Sequence, residues 1–315
     1  MRPGKFEFVS ATVLGLAAVA IWGSTIAVMR SVVEQLGNVA AGAYAFLIGG
    51  VVGMVYLLGR RDGIRALALL PRTYLAGGSA LFVVTNVTLF MAIDLASNRA
   101  ETVGVGLVNY LWPALTLALA VPILKKKVRP TLWLGLVVAL AGVYLAMTQG
   151  RGVSLAALKR GALAHPWPFL LAGTSALVWS LYSNLARRWA GHHGGSGMPL
   201  FVILTGLVLG TILVARGDGL PWPRNLKGTL ELVYLGVFPM TVAYWFWDIA
   251  MRRGHHILVG SASFFIPLIS TILSCAYLGV PMGADLWLAG GLIVAGAFMC
   301  KMSVHVDEAE TGGVS

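Results

Sequence analysis

Long apolar runs separated by short polar segments recur along nearly the whole chain. A helix needs about 20 mostly apolar residues to cross about 30 Å of hydrocarbon, and the charge-free runs repeatedly approach or reach that length. These runs are apolar on all sides, whereas the strands of a membrane barrel alternate apolar and polar residues. The pattern therefore predicts an all-α integral membrane protein.

We count ten spans, five in each half of the chain. The first five are Ser10–Met29, Leu36–Gly59, Thr73–Ile93, Thr102–Leu124 and Thr131–Gly150. The second five are Pro166–Ala186, Met198–Ala215, Leu232–Trp247, Ile257–Ala284 and Leu286–Cys300. Spans 8 and 10 are short because single charges bound them, and we expect those charges to lie at the membrane interface or to snorkel towards it.

The composition excludes a water-soluble monomer. Hydrophobic residues make up 58% of the 315 positions and charged residues only 11%, with a mean hydropathy of +0.82, whereas soluble domains carry about a quarter charged residues. The net charge of +11 does not indicate a nucleic-acid partner, because the basic residues are scattered over short loops. Most of them fall on one side of the predicted bundle, so the positive-inside bias places both termini in the cytoplasm.

The two halves repeat one another. The pairs that align at one offset, 154 in residue number, are Asp94 with Asp248, Arg99 with Arg253, Gly106 with Gly260, and Pro113 with Pro267. Trp22 aligns with Trp179 after a small indel. Because each half has an odd number of spans, the second half must enter the membrane from the opposite side. We therefore predict two inverted repeats, residues 1–150 and 151–305, followed by a short cytoplasmic tail, 306–315.

Inverted repeats are common in secondary transporters, where paired glycine- or proline-interrupted spans mark a binding site near the midplane. Spans 4 and 9 fit this description, with Gly106 and Pro113 in one and Gly260 and Pro267 in the other. We predict helix breaks and a gating role at these four residues. The alternative is a duplication that serves only as a scaffold.

Polar and aromatic residues near these breaks or near mid-span are the candidate substrate-binding residues. They are Trp22, Ser24, Asn86, Asn109, Tyr110, Trp112, Trp179, Tyr182, Tyr244 and Ser263. An aromatic wall favours a planar or amphipathic ligand over a sugar or an inorganic ion. The alternatives are aromatic packing between helices and, for Asn109, a hydrogen bond between helices.

Three carboxylates are candidates for coupling or for structural pairing. Asp94 and Asp248 occupy matched positions near the ends of spans 3 and 8, where the helix dipole disfavours an anion. Arg99 and Arg253 follow five residues later, and we expect them either to pair with these aspartates or to dock a loop. Glu101 lies at the mouth of span 4.

No catalytic, metal-binding or cofactor-binding motif is present, since HExxH, a nucleophile elbow, a Walker loop and CxxC are all missing from the sequence. We therefore expect no enzyme, no metal and no cofactor. The lipid bilayer and a small-molecule substrate are the expected partners, and no obligate protein partner is inferred.

The stretch from Glu101 to Ala120, with the following LWLGLVVALAGVYLA, resembles the drug/metabolite transporter superfamily in its two-domain EamA-type form. The run VGLVNYLWPALT, the opening AIWGSTIAVMR and the segment ALVWSLYSN resemble its aromatic amino acid exporter subgroup. One departure is that many EamA-type halves carry a glutamate after span 4, where this chain has Lys126 and, in the second half, Val280.

The resemblance implies export of aromatic and other neutral amino acids, and of some planar drugs, across a bacterial inner membrane. It also implies a central cavity lined by spans 1, 3, 4, 6, 8 and 9. A multidrug or cationic-metabolite exporter of the same fold is the alternative.

Overall fold

The structure, a computed structural model, describes residues 5–148, 155–191, 193–278 and 284–303. In the first half, spans 1, 2, 3 and 5 are the single helices Lys5–Leu36, Asn38–Gly59, Arg72–Leu95 and Thr131–Thr148, and span 4 is the helix pair Arg99–Asn109 and Trp112–Ile123. A short helix, Gly63–Ala68, joins spans 2 and 3. All five spans are long and apolar enough to cross a membrane.

In the second half, the helix Leu155–Ala164 precedes span 6, and spans 6, 7 and 10 are the helices Pro166–Ala190, Met198–Arg216 and Ala284–Ser303. Span 8 consists of Leu226–Val237, the π-helical turn Phe238–Ala243 and Tyr244–Arg253. Span 9 consists of His256–Ala262, the 3-10 turn Ser263–Phe265 and Ile266–Leu278. With the first half, these make ten candidate membrane spans among the described residues.

Repeat-equivalent spans pack against each other, span 2 on span 7 and span 5 on span 10. Span 1 packs on span 8, and their repeat equivalents, spans 6 and 3, pack on each other in the same way. The predicted fold of ten helices in two repeats is therefore confirmed. Residues 149–154, which include the predicted boundary between the repeats, and the predicted tail 306–315 lie outside the described residues, as does Val280.

Glycines allow the symmetric pair of spans 5 and 10 to approach closely. A Cβ on Gly142 of span 5 would lie 2.8 Å from the carbonyl oxygen of Ala289 in span 10. The equivalent Gly296 lies against the backbone of Ala139 in the same way. Close backbone approach at small residues is the usual way in which membrane helices associate.

The main error in the predicted spans concerns span 8, which covers 28 residues, Leu226–Arg253, rather than Leu232–Trp247. Both charges that seemed to bound it lie within the helix. Glu231 accepts a 2.6 Å hydrogen bond from the Ser31 hydroxyl, and Asp248 is completely buried. Charges with internal partners do not need to reach the interface.

Spans 4 and 9 are interrupted at equivalent positions. The helix of span 4 stops after Asn109 and resumes at Trp112, and the 3-10 turn of span 9 covers Ser263–Phe265, the matching residues in the repeat register. Pro113 and Pro267 follow the two interruptions. Each proline removes a donor from the helical ladder and crowds the preceding turn, which accounts for the position of the break.

One end of the bundle, where spans 2, 6 and 8 finish, carries Arg60, Arg187 and Arg253, and we call it the basic end. Span 6 is packed more tightly towards this end than towards its other end. Span 6 is buried mainly between Ser175 and Ala190, whereas Trp167, near its other end, is 68% exposed.

Candidate functional site

Four tryptophans from four different spans meet near the middle of the bundle. The ring centroid of Trp22, in span 1, lies 6.5 Å from that of Trp112 in span 4. It lies 6.0 Å from that of Trp179 in span 6 and 5.3 Å from that of Trp247 in span 8. Trp112 and Trp247 are 5.3 Å apart in an edge-to-face arrangement. Trp22 and Trp179, which are repeat equivalents, are therefore in contact, and we call these four residues the tryptophan cluster.

Further aromatic rings surround the tryptophan cluster. Tyr244 of span 8 lies 5.2 Å from Trp22 and 5.4 Å from Trp179. Tyr182 stacks on Trp179 at 5.4 Å with an angle of 27° between their planes, and Phe82 of span 3 contacts Tyr244 at 4.8 Å. Each well-placed aromatic pair contributes about 0.5–1.5 kcal/mol beyond its buried area.

A few polar groups orient these rings. The Tyr244 hydroxyl donates to Oδ1 of Asn86 at 2.8 Å, and the Asn86 amide donates to the Phe82 carbonyl. The Trp22 indole donates to the carbonyl oxygen of Pro239 at 3.3 Å, in the π-helical turn of span 8. A π-turn shifts the carbonyls of a helix out of register, so this turn provides the acceptor that fixes the Trp22 ring.

The break in span 4 is joined to span 6 by polar contacts. The Ser180 hydroxyl lies 3.0 Å from the Trp112 carbonyl oxygen, and the Asn184 amide donates to the Thr116 carbonyl at 3.0 Å. All of these side chains except the ring of Trp112 are at most 1% exposed. These bonds hold the helix that follows the break against span 6.

Asp248 lies beside this cluster, towards the basic end, and is the centre of a buried hydrogen-bond network. Its Oδ1 accepts from the hydroxyls of Tyr74 at 2.9 Å and Tyr182 at 2.8 Å. Its Oδ2 accepts from the Ser196 hydroxyl at 2.7 Å and from Nε of Arg252 at 3.0 Å. We call these five residues the Asp248 network, and they connect spans 3, 6 and 8 with the loop between spans 6 and 7.

Arg252 carries the network into the loop between spans 6 and 7. Its Nη1 donates to the carbonyls of Ala190 and His193, and its Nη2 donates to the Gly195 carbonyl at 2.6 Å. Its side chain is 0% exposed. A buried ion pair is tolerated only when further hydrogen bonds satisfy both partners, and the loop carbonyls and the two tyrosines provide those bonds.

Asp248 does not pair with Arg253, its expected partner. Asp94 pairs with Arg216 of span 7 at 2.7 Å, and Asp248 pairs with Arg252, while Arg253 donates to the His193 carbonyl. The physical reason is helical geometry, because residues four apart share a face of a helix and residues five apart do not.

Glu101 closes the opposite end of span 4. Its carboxylate accepts from the Ser97 backbone amide at 2.9 Å and lies 3.0 Å from Nδ1 of His165. Asn98 caps the helix by accepting from the Glu101 amide. These contacts satisfy the first turn of the helix in the manner of a capping box.

The remaining predicted site residues are not part of the tryptophan cluster. Ser24 lies 2.5 Å from the Tyr234 hydroxyl, and Ser263 donates to the Gly260 carbonyl within its own span. Asn109 is half-buried, and Tyr110 packs between the two main apolar cores. Of the predicted gating residues, Gly106 lies next to Met147, Gly260 next to Leu117, and Pro113 and Pro267 are buried.

Sequence reasoning missed Trp247 as well as most of the Asp248 network. Trp247 is fully buried, and its indole donates to the Ser183 hydroxyl at 3.1 Å. It is the last residue of span 8 as the sequence predicts that span. The available signal was the run YWFWD, in which Tyr244 and Trp247 fall on one face of a helix together with Asp248.

Comparison with known proteins agrees with this architecture. The EamA-like transporter family profile matches residues 9–148 and again residues 166–301. The chain is 32% identical over 300 residues to the aromatic amino acid exporter YddG of Ancylobacter novellus, covering 93% of this chain and 97% of that protein. It is 27% identical to YddG of Escherichia coli K12, with coverage of 94% and 98%.

A more distant relative, at 24% identity over 291 residues, is the uncharacterized inner membrane transporter YedA of Escherichia coli K12, with coverage of 92% and 90%. A solved crystal structure superimposes with a TM-score of 0.79 at 28% identity and covers 94% of this chain and 98% of that one. The ten spans and these relatives identify a multi-pass transporter of the bacterial inner membrane and not an enzyme. The chain belongs to the EamA-like transporter family.

Proposed function

We propose that this protein exports aromatic and other neutral amino acids by alternating access, with the substrate side chain held by the tryptophan cluster. The observation that carries the proposal is the meeting of Trp22, Trp112, Trp179 and Trp247, from both repeats, near the middle of the bundle. The relatives named as aromatic amino acid exporters support the same substrate class.

Faces and edges of several indoles converge at this point, and a planar side chain is the ligand that such a surface favours. Trp112 and Trp179 are only 8% and 7% exposed, so the rings occupy one another's faces in this state. A substrate ring would replace some of these ring-to-ring contacts when the two repeats move apart. The total apolar contact area would then change little on binding, because contacts between the substrate ring and tryptophan replace contacts between two tryptophans.

The Asp248 network closes one end of the transport path in this proposal. It joins elements of both repeats, since Tyr74 belongs to the first repeat and Tyr182, Asp248 and Arg252 to the second. Opening the basic end would require these hydrogen bonds to separate together. The two repeats would then alternate between two packed arrangements related by the pseudo-twofold axis, and these would expose the site to one side of the membrane and then to the other.

The roles proposed for the other candidates follow from their contacts. The breaks at Pro113 and Pro267 would let spans 4 and 9 bend during this exchange. Asp94 and Glu101, with partners at the opposite end, would act as structural pairs there. A proton-coupling role for Asp248 is the alternative, and a comparison of flux with and without a proton gradient separates the two.

The substrate class is tested by flux in proteoliposomes that contain the purified protein and radiolabelled phenylalanine. We expect saturable phenylalanine flux that unlabelled tryptophan inhibits, with weaker inhibition by leucine and none by aspartate. Flux of a planar organic cation should be much lower than phenylalanine flux. Cation flux without phenylalanine flux would instead support the multidrug alternative and contradict the proposal.

A further inference from the structure

A cavity of about 820 Å³ lies at the basic end, outside the tryptophan cluster, between spans 2 and 8 and the loops that follow spans 2 and 6. Its volume is within the range of ligand sites, about 300–1,000 Å³. Tyr56 and Trp245 form one wall as an edge-to-face pair 5.2 Å apart, and Arg60 and Arg61 form the rim.

The cavity faces away from the candidate transport path. Trp245 and Ile249, four residues apart on span 8, line it, whereas Tyr244 and Asp248 lie on the inner face of the same helix. Residues of span 2 around the opening project outward, with Val52, Val55 and Tyr56 between 39% and 64% exposed. The cavity therefore opens towards the hydrocarbon and the adjacent interface rather than towards the centre of the bundle.

The charges at the rim suit an anionic head group. The Arg60 guanidinium lies 5.7 Å above the Tyr56 ring, which holds it over the opening. Within the described part of the chain, no carboxylate lies within salt-bridge distance of Arg60 or Arg61, although Asp62 also lines the cavity. Guanidinium groups bind phosphate through paired hydrogen bonds, and apolar walls below them fit acyl chains.

We propose that this cavity binds an anionic phospholipid of the leaflet at the basic end, with its phosphate at Arg60 and Arg61 and its acyl chains against Val52 and Trp245. Basic pockets between membrane helices at the cytoplasmic surface are suited to such lipids. Ser196 lines the same cavity and donates to Asp248. The bound lipid therefore stabilises the loop that keeps the Asp248 network intact.

Lipid retention is measured by native mass spectrometry of the full-length protein in detergent, with equal amounts of phosphatidylglycerol and phosphatidylcholine added. We expect phosphatidylglycerol to be retained at least fivefold more than phosphatidylcholine and to raise the melting temperature of the protein. Arg60→Gln combined with Arg61→Gln should abolish both effects. The matched control, Lys127→Gln combined with Arg188→Gln, removes two exposed charges elsewhere at the basic end and should retain both.

A second variant, Trp245→Ala, changes only the apolar wall and should reduce retention of phosphatidylglycerol without changing the charge. Elution as a single species in size exclusion shows that each variant is folded. Equal retention of the two lipids by the wild type, or equal losses in the rim and control variants, would overturn the proposal. So would displacement of phosphatidylglycerol by millimolar inorganic phosphate, because the site would then recognise a free anion. None of these measurements depends on which substrate is transported.

Discussion

At the scale of single residues, Asp94 and Asp248 occupy equivalent positions in the two repeats but differ in the residue that follows four positions later. Four residues after Asp248 stands Arg252, on the same face of the helix, whereas Asn98 follows Asp94 at the same distance. Asp248 therefore has a buried cation within its own helix. Asp94 pairs with Arg216 of span 7 at a partly exposed site.

This difference predicts that replacing aspartate by asparagine lowers the stability of the protein more at position 248 than at position 94. Asp248→Asn leaves Arg252 buried without its counter-charge, which costs about 3–5 kcal/mol, and we expect a large fall in melting temperature and in flux. Asp94→Asn removes a partly exposed pair worth about 1 kcal/mol or less. Thermal unfolding of both variants in detergent measures the difference. Equal losses would contradict the structural role assigned to the Asp248 network.

At the scale of helices, hydropathy was sufficient to predict the number of spans but not all their ends. A charge at the interface and a charge buried with partners look alike in the sequence. The partners of Asp248 include Tyr74 and Tyr182, which are distant in the chain and close only in the fold. Trp247 was missed as a site residue for the same reason.

Prolines and glycines carried more structural information than single charges did. Breaks in spans 4 and 9 follow from the bonding of Pro113 and Pro267 and appear at matching residues. The π-turn at Phe238–Ala243 was not predicted, although Pro239 lies in it, and span 3, its repeat equivalent, is one continuous helix. Its Pro239 carbonyl positions the Trp22 indole, so part of the site geometry depends on a local departure from the repeat.

The packing of span 5 on span 10 gives a prediction for the symmetric helix pair. Gly296→Val places a side chain against the backbone of Ala139, and overpacking of this kind costs about 1–3 kcal/mol. We expect a lower melting temperature in detergent. Gly291→Val, in the same helix, has no neighbour within 4 Å of its new Cβ and serves as the control. Equal melting temperatures for the two variants would show that this close approach is unimportant.

At the scale of the whole molecule, the repeat that the sequence predicts is visible in the packing, because the equivalent spans 2 and 7, and 5 and 10, pack against each other. The register could not predict the contacts at the basic end that the repeat does not duplicate, such as those of Arg252 with the loop between spans 6 and 7.

The orientation of the bundle is predicted by its charge asymmetry. With the basic end in the cytoplasm, a fluorescent protein fused after Ser315 should fluoresce and alkaline phosphatase fused there should be inactive. Alkaline phosphatase fused after Gly37, between spans 1 and 2, should be active as the matched control. An active phosphatase at Ser315 would place the basic end outside the cell.

The proposed transport path is tested most directly by one pair of substitutions in span 6. Trp179 is 7% exposed and belongs to the tryptophan cluster, whereas Trp167 is 68% exposed on the surface of the same span. Tryptophan flux is measured in proteoliposomes with equal amounts of folded protein. We predict that Trp179→Ala lowers flux at least tenfold, that Trp179→Phe retains part of it, and that Trp167→Ala matches the wild type. Wild-type flux in the Trp179→Ala variant, or no tryptophan flux in the wild type, would contradict the proposal.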